Sequence, residues 1–220
     1  MLFVALSCLQ GRVMTSAFDE LAALNVGIQL TPGNLPARGF REHVAASGVI
    51  TRRHHGFTWR ARKTETWVDA ACAVESESVH PPLAGEHLAW REWFERADTR
   101  PILEVMYPGY ALGTGDEVER AMDDGIVIAV DVSHVFLQIT AGAMHDRTWR
   151  RLQDYQRIAE VHVSANGGQH DSHRPLVPTT FGLPWARERV ADHPVILECY
   201  MHKLTTQQRF DQLGYLQETS

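Results

Sequence analysis

Side chains with metal-binding chemistry are concentrated in one short stretch, residues 158–173 (IAEVHVSANGGQHDSH). The stretch opens with an apolar segment, IAEVHV, that predicts a buried strand, and a loop rich in Gly and Asn follows. His162 lies near the end of the strand, and the loop carries His170, Asp171 and His173. Imidazoles and carboxylates are the ordinary ligands of zinc, manganese and iron. The stretch therefore indicates a metal site, although a polar surface loop with scattered histidines would have the same composition.

The ends of the other predicted strands carry the same kinds of side chain. Together with the stretch above they give these potential metal ligands: His55, His80, Glu104, Asp131, His134, His162, Asp171, His173 and Glu198. Two of them, Glu104 and Glu198, interrupt strongly apolar strands, ILEVM and VILECY. A buried carboxylate that meets no cation would carry a large desolvation penalty. We therefore predict that these side chains bind one to three divalent ions, of Zn, Mn or Fe.

Eight short apolar strands alternate with helical segments and would position these ligands. The strands are predicted at residues 2–8, 26–31, 47–57, 77–82, 101–107, 125–134, 158–163 and 194–200, and the helices at 18–24, 64–74, 86–97, 115–122, 148–156, 183–191 and 205–216. Continuous runs rich in Val and Ile are typical of parallel strands buried on both faces. We predict an α/β fold, a compact (β/α)₈ TIM barrel over residues 1–220, with the ligands at its C-terminal rim. The alternative is an open doubly wound sheet, but no G-x-G-x-x-G follows the first strand.

Composition and charge limit the partners and the compartment. At a formal net charge of −6, the chain has no global basic field that would attract nucleic acid or an acidic membrane. No apolar run is long enough to span a bilayer, and we interpret MLFVALSCL as a buried strand rather than a signal peptide. Cys8, Cys72 and Cys199 are far apart and odd in number, which is typical of reduced thiols in a cytoplasmic protein.

The order of these motifs resembles the xylose-isomerase-like TIM-barrel superfamily, and within it endonuclease IV. The resemblance is carried by His80-Pro81, Ile102-Leu103-Glu104, Asp131-Val132-Ser133-His134, His162-Val163-Ser164, Asp171-Ser172-His173 and Ile196-Leu197-Glu198. It implies three zinc ions if the chain follows endonuclease IV. It implies one metal if the chain follows the sugar isomerases and epimerases, whose Glu, Asp, His, Glu subset corresponds to Glu104, Asp131, His162 and Glu198. A third branch, the iron enzymes that modify peptides, uses a related multi-histidine set, and GEHLAW (85–90) and DVSHVFLQ (131–138) are similar to it.

Residues outside the ligand set indicate what the site binds. The stretch 51–63 (TRRHHGFTWRARK) is locally basic and aromatic, and one Arg follows the D-x-H motif. We predict that Arg52, Arg53, Trp59 and Arg174 contact a small polar substrate or a partner protein or peptide, although a solvated basic loop is the alternative interpretation.

Duplex DNA is a poor match for this chain, despite the resemblance to endonuclease IV. That family usually has Asn after the Glu of the fifth strand, where this chain has Val105. The chain is also shorter and offers clustered cations only in the stretch 51–63, whereas gripping a duplex needs several spaced basic contacts. We expect weak or no binding to duplex DNA.

Two adjacent histidines at the end of the third strand cannot both face the ligand set. Neighbouring side chains of an extended strand point in opposite directions, so one of His54 and His55 should lie elsewhere. We assign His55 to the ligand set, and the roles of His54, His87 and His170 stay open.

Three functions from different classes fit these residues. We rank an isomerase or epimerase first, in which one ion holds vicinal oxygens of the substrate while Glu104 or Glu198 moves a proton. The alternatives are a multinuclear zinc phosphoester hydrolase that resembles endonuclease IV, and a multinuclear non-heme iron oxidase or oxygenase that acts on a peptide or small molecule. The ranking rests on the acidic, compact chain, which suits a small substrate.

Overall fold

Eight parallel strands close into a barrel in the computed structural model, which describes residues 1–55, 77–81, 83–84 and 102–217. The strands are β1 (Leu2–Ala5), β2 (Gly27–Leu30), β3 (Thr51–His55), β4 (Ser78–Val79), β5 (Ile102–Val105), β6 (Ile128–Asp131), β7 (Ile158–Val163) and β8 (Val195–Leu197). Each strand pairs with the next one in sequence, and β8 pairs with β1 to close the ring. The predicted parallel eight-stranded barrel is therefore confirmed.

Most strands are shorter than predicted, and at the end of β1 a side chain takes over the backbone hydrogen bond. The apolar run at residues 2–8 was predicted to be one strand, but a 3-10 turn over Leu6–Leu9 replaces its second half. There the backbone N–H of Ser7 donates to the hydroxyl of Thr31 (2.8 Å), which lies just after β2. A side-chain acceptor thus ends the strand without leaving a buried donor unpaired.

The described part of the chain contains seven α-helices. They are α1 (Met14–Ala22), α2 (Phe40–Ser47), α3 (Gly115–Asp123), α4 (Val132–Thr140), α5 (Asp146–Gln153), α6 (Leu183–Arg189) and α7 (Thr206–Gln217). Their apolar faces pack against the strands, and Leu21, Val118, Leu152, Ala186 and Leu213 belong to the same buried cluster as the strand residues. The sequence did not predict α2 or α4. The helices predicted at 64–74 and 86–97 lie outside the described residues.

The helix α4 begins inside a segment that was predicted to be a strand. The prediction continued β6 through His134, because Val and Ile are frequent there. In the structure the strand ends at Asp131, whose carboxylate accepts hydrogen bonds from the backbone N–H groups of Ser133 (2.6 Å) and His134 (3.4 Å). An Asp in this position is a favourable helix N-cap. His134 therefore lies on the first turn of a helix at the barrel rim.

Two predictions about the whole chain can be compared with the described residues. Cys8 and Cys199 are buried free thiols, as predicted, and Cys72 lies outside those residues. Burial raises the pKa of Cys8 well above its ordinary value and that of Cys199 to about 12. No helix in the described ranges is long and apolar enough to cross a bilayer.

Candidate metal centre

Four predicted ligands meet at the C-terminal mouth of the barrel. Glu104 is on β5, Asp131 ends β6, His162 is on β7 and Glu198 directly follows β8. All four are buried. The Nδ1 atom of His162 lies 3.3 Å from Glu104 Oε1 and 3.4 Å from Glu198 Oε1. The barrel thus brings carboxylates from different strands to one imidazole nitrogen.

Within this set, Asp131, His162 and Glu198 could hold one ion. Each offers a ligand atom, and these three atoms lie within 4.8 Å of one another. The pairing of β6 with β7 places Asp131 opposite His162, and β8 follows β7 in the ring. Strand register therefore brings Asp131 and His162 together, and the backbone N–H of Glu198 donates to the carbonyl of Val163, next to His162 (2.9 Å).

A second donor group lies on the other side of Glu104. The Oε2 atom of Glu104 is 3.0 Å from His80 Nε2 and 3.3 Å from His54 Nε2. The other ring nitrogen of His54, Nδ1, lies 2.9 Å from the hydroxyl of Ser78. That contact fixes the ring so that Nε2 faces the carboxylate.

A third donor group extends from Asp131 along the rim. His134 Nε2 lies 3.5 Å from Asp131 Oδ2 and 3.3 Å from Asp171 Oδ2. Asp171 Oδ2 is also 3.1 Å from His173 Nε2, while His173 Nδ1 lies 3.1 Å from the carbonyl oxygen of Glu198. The D-x-H motif thus turns the side chains of Asp171 and His173 toward each other, next to His134.

The acidic and basic groups of the centre shift one another's pKa values. Burial would lower the pKa of His162, but the charges of Glu198 and Glu104 raise it well above the ordinary value. Burial likewise opposes the charge on His134, while Asp131 and Asp171 raise its pKa. For Glu198, burial dominates and raises the pKa to about 7. In the metal-free centre, imidazolium ions therefore balance part of the carboxylate charge.

Several buried atoms at the mouth have no hydrogen-bond partner of acceptable geometry. They include both carboxylate oxygens of Glu104, Oδ2 of Asp131, Oδ1 of Asp171 and Nδ1 of His162. An unpaired buried polar atom is costly, and a cation coordinated by these atoms would remove that cost. Imidazole nitrogens and carboxylate oxygens together suit zinc, manganese and iron. The residues present therefore fit a divalent metal ion.

Sequence reasoning left open or missed three polar side chains that the structure places inside the barrel. His54 is buried in the second donor group, although the adjacent His55 was the predicted ligand. Gln29 on β2 and Glu160 on β7 are completely buried below His162. Glu160 interrupts the apolar strand IAEVHV in the way that Glu104 interrupts ILEVM, and that signal could have identified it.

The predicted substrate contacts occupy different environments. Arg52 points into the barrel, where its guanidinium pairs with Glu77 (2.7 Å) and Glu160 (3.0 Å). That pairing gives Arg52 a structural role, and its contact with substrate stays a prediction. Arg53 is partly buried, and Arg174 is exposed beside the D-x-H motif. The side chains of His55 and Trp59 lie outside the described residues.

A surface cavity adjoins the third donor group. It has a volume of about 510 Å³, and its lining includes Tyr107, His170 and Asp171. The ring of Tyr107 also packs edge-on against His134, with ring centroids 5.0 Å apart. His170, whose role the sequence left open, therefore lines space next to the centre and does not belong to any of its donor groups.

Comparisons with known proteins support the fold. No protein-family model and no curated protein matches the chain. A D-tagatose 3-epimerase-like protein is similar in structure, with 17% identity, a TM-score of 0.65 and coverage of 98% of this chain and 96% of the other. An L-ribulose 3-epimerase is similar with 12% identity, a TM-score of 0.53 and coverage of 97% and 86%. A D-psicose 3-epimerase from Clostridium cellulolyticum H10, solved with D-tagatose, gives 9% identity, a TM-score of 0.51 and coverage of 94% and 88%.

These similarities extend over nearly the whole chain, and at such low sequence identity they show the fold alone. The similar proteins have the same closed ring of eight parallel strands that the sequence motifs implied. The chain has the (β/α)₈ TIM-barrel fold.

Proposed function

We propose that this protein is a metal-dependent isomerase or epimerase that acts on a small sugar-like substrate in the mouth of the barrel. The observation that carries the proposal is the convergence of two buried carboxylates, Glu104 and Glu198, on one nitrogen of His162. The proposal is consistent with the structurally similar proteins, which are epimerases of small sugars or similar to one.

Two carboxylates from different strands suit the chemistry of epimerisation. Inversion at a carbon next to a carbonyl requires removal of a proton from one face and return of a proton to the other. Glu198 from β8 and Glu104 from β5 approach the centre from separate parts of the ring, so each can serve one face. A divalent ion held by Glu104, Asp131, His162 and Glu198 would supply Lewis acidity that makes the substrate C–H more acidic.

The surroundings of the centre suit a small polar molecule. The cavity of about 510 Å³ beside Tyr107 and His170 has the size of a small-ligand pocket. The exposed guanidinium of Arg174 lies near the rim and could bind an anionic substituent such as a phosphate. The net charge of −6 gives no support for a duplex DNA substrate.

Isotope exchange tests the proposal directly. Protein loaded with manganese or cobalt is incubated with D-psicose, D-tagatose or L-ribulose in heavy water, and NMR follows deuterium uptake at the carbon beside the carbonyl. We expect exchange and a new epimer, both abolished in Glu198→Gln, which keeps the volume but removes the anionic oxygen. A fully loaded protein that exchanges none of these protons would contradict an epimerase of this substrate class.

A second candidate function is favoured by the two sides of Glu104. Its Oε1 faces His134 and His162, whereas its Oε2 faces His54 and His80. A carboxylate between two donor groups is suited to bridge two ions. A one-metal epimerase would leave the histidines of the second and third donor groups without a ligand role. The centre then fits a multinuclear phosphoester hydrolase or a multinuclear non-heme iron oxidase.

Metal stoichiometry separates the two candidates. Protein purified without added metal is analysed for Mn, Co, Zn and Fe per chain. About one ion favours the epimerase, three zinc ions favour the hydrolase, and two or three iron ions favour the oxidase. Incision of an abasic duplex and oxygen uptake with peptide substrates then test the two multinuclear functions separately.

A further inference from the structure

We propose that Glu160, held in place by Arg52 and Gln29, is a positioning residue that orients His162 for metal binding. The inference rests on the proposed metal centre and does not depend on which reaction the centre catalyses. It concerns the layer of polar side chains directly below the mouth of the barrel.

The two nitrogens of His162 face opposite layers of the barrel. Nδ1 faces the mouth, where Glu104 Oε1 and Glu198 Oε1 lie 3.3 and 3.4 Å away and no hydrogen bond forms. Nε2 faces inward and lies 2.9 Å from Glu160 Oε1. Because a neutral imidazole carries a proton on one nitrogen and a lone pair on the other, the inward partner decides which nitrogen is free.

Glu160 has every contact needed to remain a fixed anion. Its Oε1 accepts from His162 Nε2 and from the amide of Gln29 (3.4 Å). Its Oε2 accepts from Arg52 Nε (3.1 Å) and lies 3.0 Å from Arg52 Nη2. Arg52 is in turn anchored by Glu77 at 2.7 Å. Both oxygens of Glu160 are therefore paired, in contrast to those of Glu104.

Direct metal binding by Glu160 is the competing interpretation. Ligand atoms of His54, Glu160 and His162 do lie within 4.8 Å of one another. However, the guanidinium of Arg52 already provides the cation for this carboxylate, and a divalent ion on Glu160 would be placed next to that positive charge. The geometry therefore indicates that Glu160 orients His162 and is not itself a metal ligand.

The consequence for His162 is a defined tautomer. When the ring releases its second proton to bind a metal ion, the proton that remains on Nε2 donates to the anionic Glu160, and the lone pair of Nδ1 points toward Glu104 and Glu198. A carboxylate that accepts from a metal-bound imidazole also increases the basicity of the ligating nitrogen. Loss of such a carboxylate typically weakens metal binding by about 10-fold to 100-fold.

Two isosteric variants test the role of Glu160. Zinc dissociation constants are measured by chelator competition for the wild type, Glu160→Gln and Glu77→Gln. Glu77→Gln removes the other carboxylate partner of Arg52 but does not touch His162, so it controls for disturbance of the arginine. We expect the Kd to rise by about 10-fold to 100-fold in Glu160→Gln and by less than about threefold in Glu77→Gln.

A spectroscopic measurement on the wild type keeps the test independent of how the variant folds. In zinc-loaded protein labelled with ¹⁵N-histidine, the His162 ring should show a metal-bound Nδ1 and a hydrogen-bonded proton on Nε2. Zinc on Nε2, or equal affinities of Glu160→Gln and wild type, would overturn the inference and leave the metal centre standing. A wild type that binds no ion would overturn the metal centre itself.

Discussion

The change Glu104→Gln tests whether one carboxylate serves two donor groups. Its carboxylate is completely buried, and four imidazole nitrogens lie within 3.3 Å of its oxygens, those of His54, His80, His134 and His162. The amide keeps the volume of the side chain but removes its charge. If one ion is bound, this change should weaken its binding. If two ions share Glu104, the change should weaken the binding of both.

The expected loss of metal affinity follows from the burial of Glu104. Removing one partner from a buried ionic interaction costs about 3–5 kcal/mol, because the remaining charge loses its compensation. Since about 1.4 kcal/mol corresponds to a factor of ten, the Kd of each affected ion should rise by about two to three and a half orders of magnitude. Glu198→Gln provides the comparison, because Glu198 belongs to one donor group only, with Asp131 and His162.

The assay is a chelator-competition titration combined with elemental analysis of the purified variants. Glu188→Gln, an exposed carboxylate on α6, controls for the change of net charge. Wild-type affinity in Glu104→Gln would refute the assignment of Glu104 as a ligand. With two or more ions in the wild type, identical losses in Glu104→Gln and Glu198→Gln would refute the bridging role alone.

Three further predictions concern stability. Chelation should lower the melting temperature by about 5–11 °C. An ion at about 100 times its Kd adds about 2.7 kcal/mol to the free energy of unfolding, and each kcal/mol changes the melting temperature of a domain of this size by about 2–4 °C. An unchanged melting curve would contradict tight binding. In chelated protein, Asp171→Asn should lower the urea midpoint more at pH 6 than at pH 10. Burial, the largest single effect, lowers the pKa of His173, but the hydrogen bond and charge of Asp171, together with the charges of Glu198 and Asp131, raise it to about 9. The stabilisation from this pairing is therefore complete below about pH 6.5 and is lost as the pH rises through 9. Equal losses at the two pH values would disprove this pairing. Gly182→Ala should lower the free energy of unfolding by about 2–4 kcal/mol, since φ is 70° and the new Cβ would lie 2.8 Å from Val132. Gly142→Ala, at the same φ but with open space around the new Cβ, should cost only about 1–2 kcal/mol. Equal losses in denaturant unfolding would show that the contact with Val132 contributes nothing.

The barrel and the inner candidate ligands could be predicted because buried strands have a recognisable apolar sequence pattern. Strands buried on both faces must be apolar throughout, so each Glu within such a strand is conspicuous. Glu104 and Glu198 were identified in this way, and the structure brings both to His162. The order of the strands then follows from the right-handed connections between parallel neighbours.

The choice between His54 and His55 could not be predicted, because it depends on strand register. The segment TRRHH has no apolar alternation that would show which face is buried. In the structure Arg52 pairs with Gln29 across the β2–β3 ladder, and His54, two residues later, faces the same interior. Only the pairing with a neighbouring strand carries this information.

The start of α4 was missed for a different physical reason. Residues 125–131 are rich in β-branched side chains, and the apolar pattern continues into the helix. A single side-chain cap decides the outcome, since the carboxylate of Asp131 satisfies the first free N–H groups of the helix. Asp131 therefore has two roles, because its Oδ1 ends the strand and its Oδ2 faces the metal centre.

The charges of the centre explain how so many carboxylates can be buried at one end of a barrel. Without metal, the carboxylates around His134 and His162 raise the pKa of both rings against the effect of burial, so bound protons balance the negative charge. A metal ion needs an unprotonated imidazole nitrogen, so each histidine that binds an ion would release the proton that had balanced the carboxylate charge. Protons and a bound metal ion would therefore compete for the same buried atoms. The layer below, where Arg52 neutralises Glu160, provides a permanent cation that takes no part in this exchange. In the proposed arrangement, this fixed charge would keep one nitrogen of His162 turned inward to Glu160 and leave the other available to an ion.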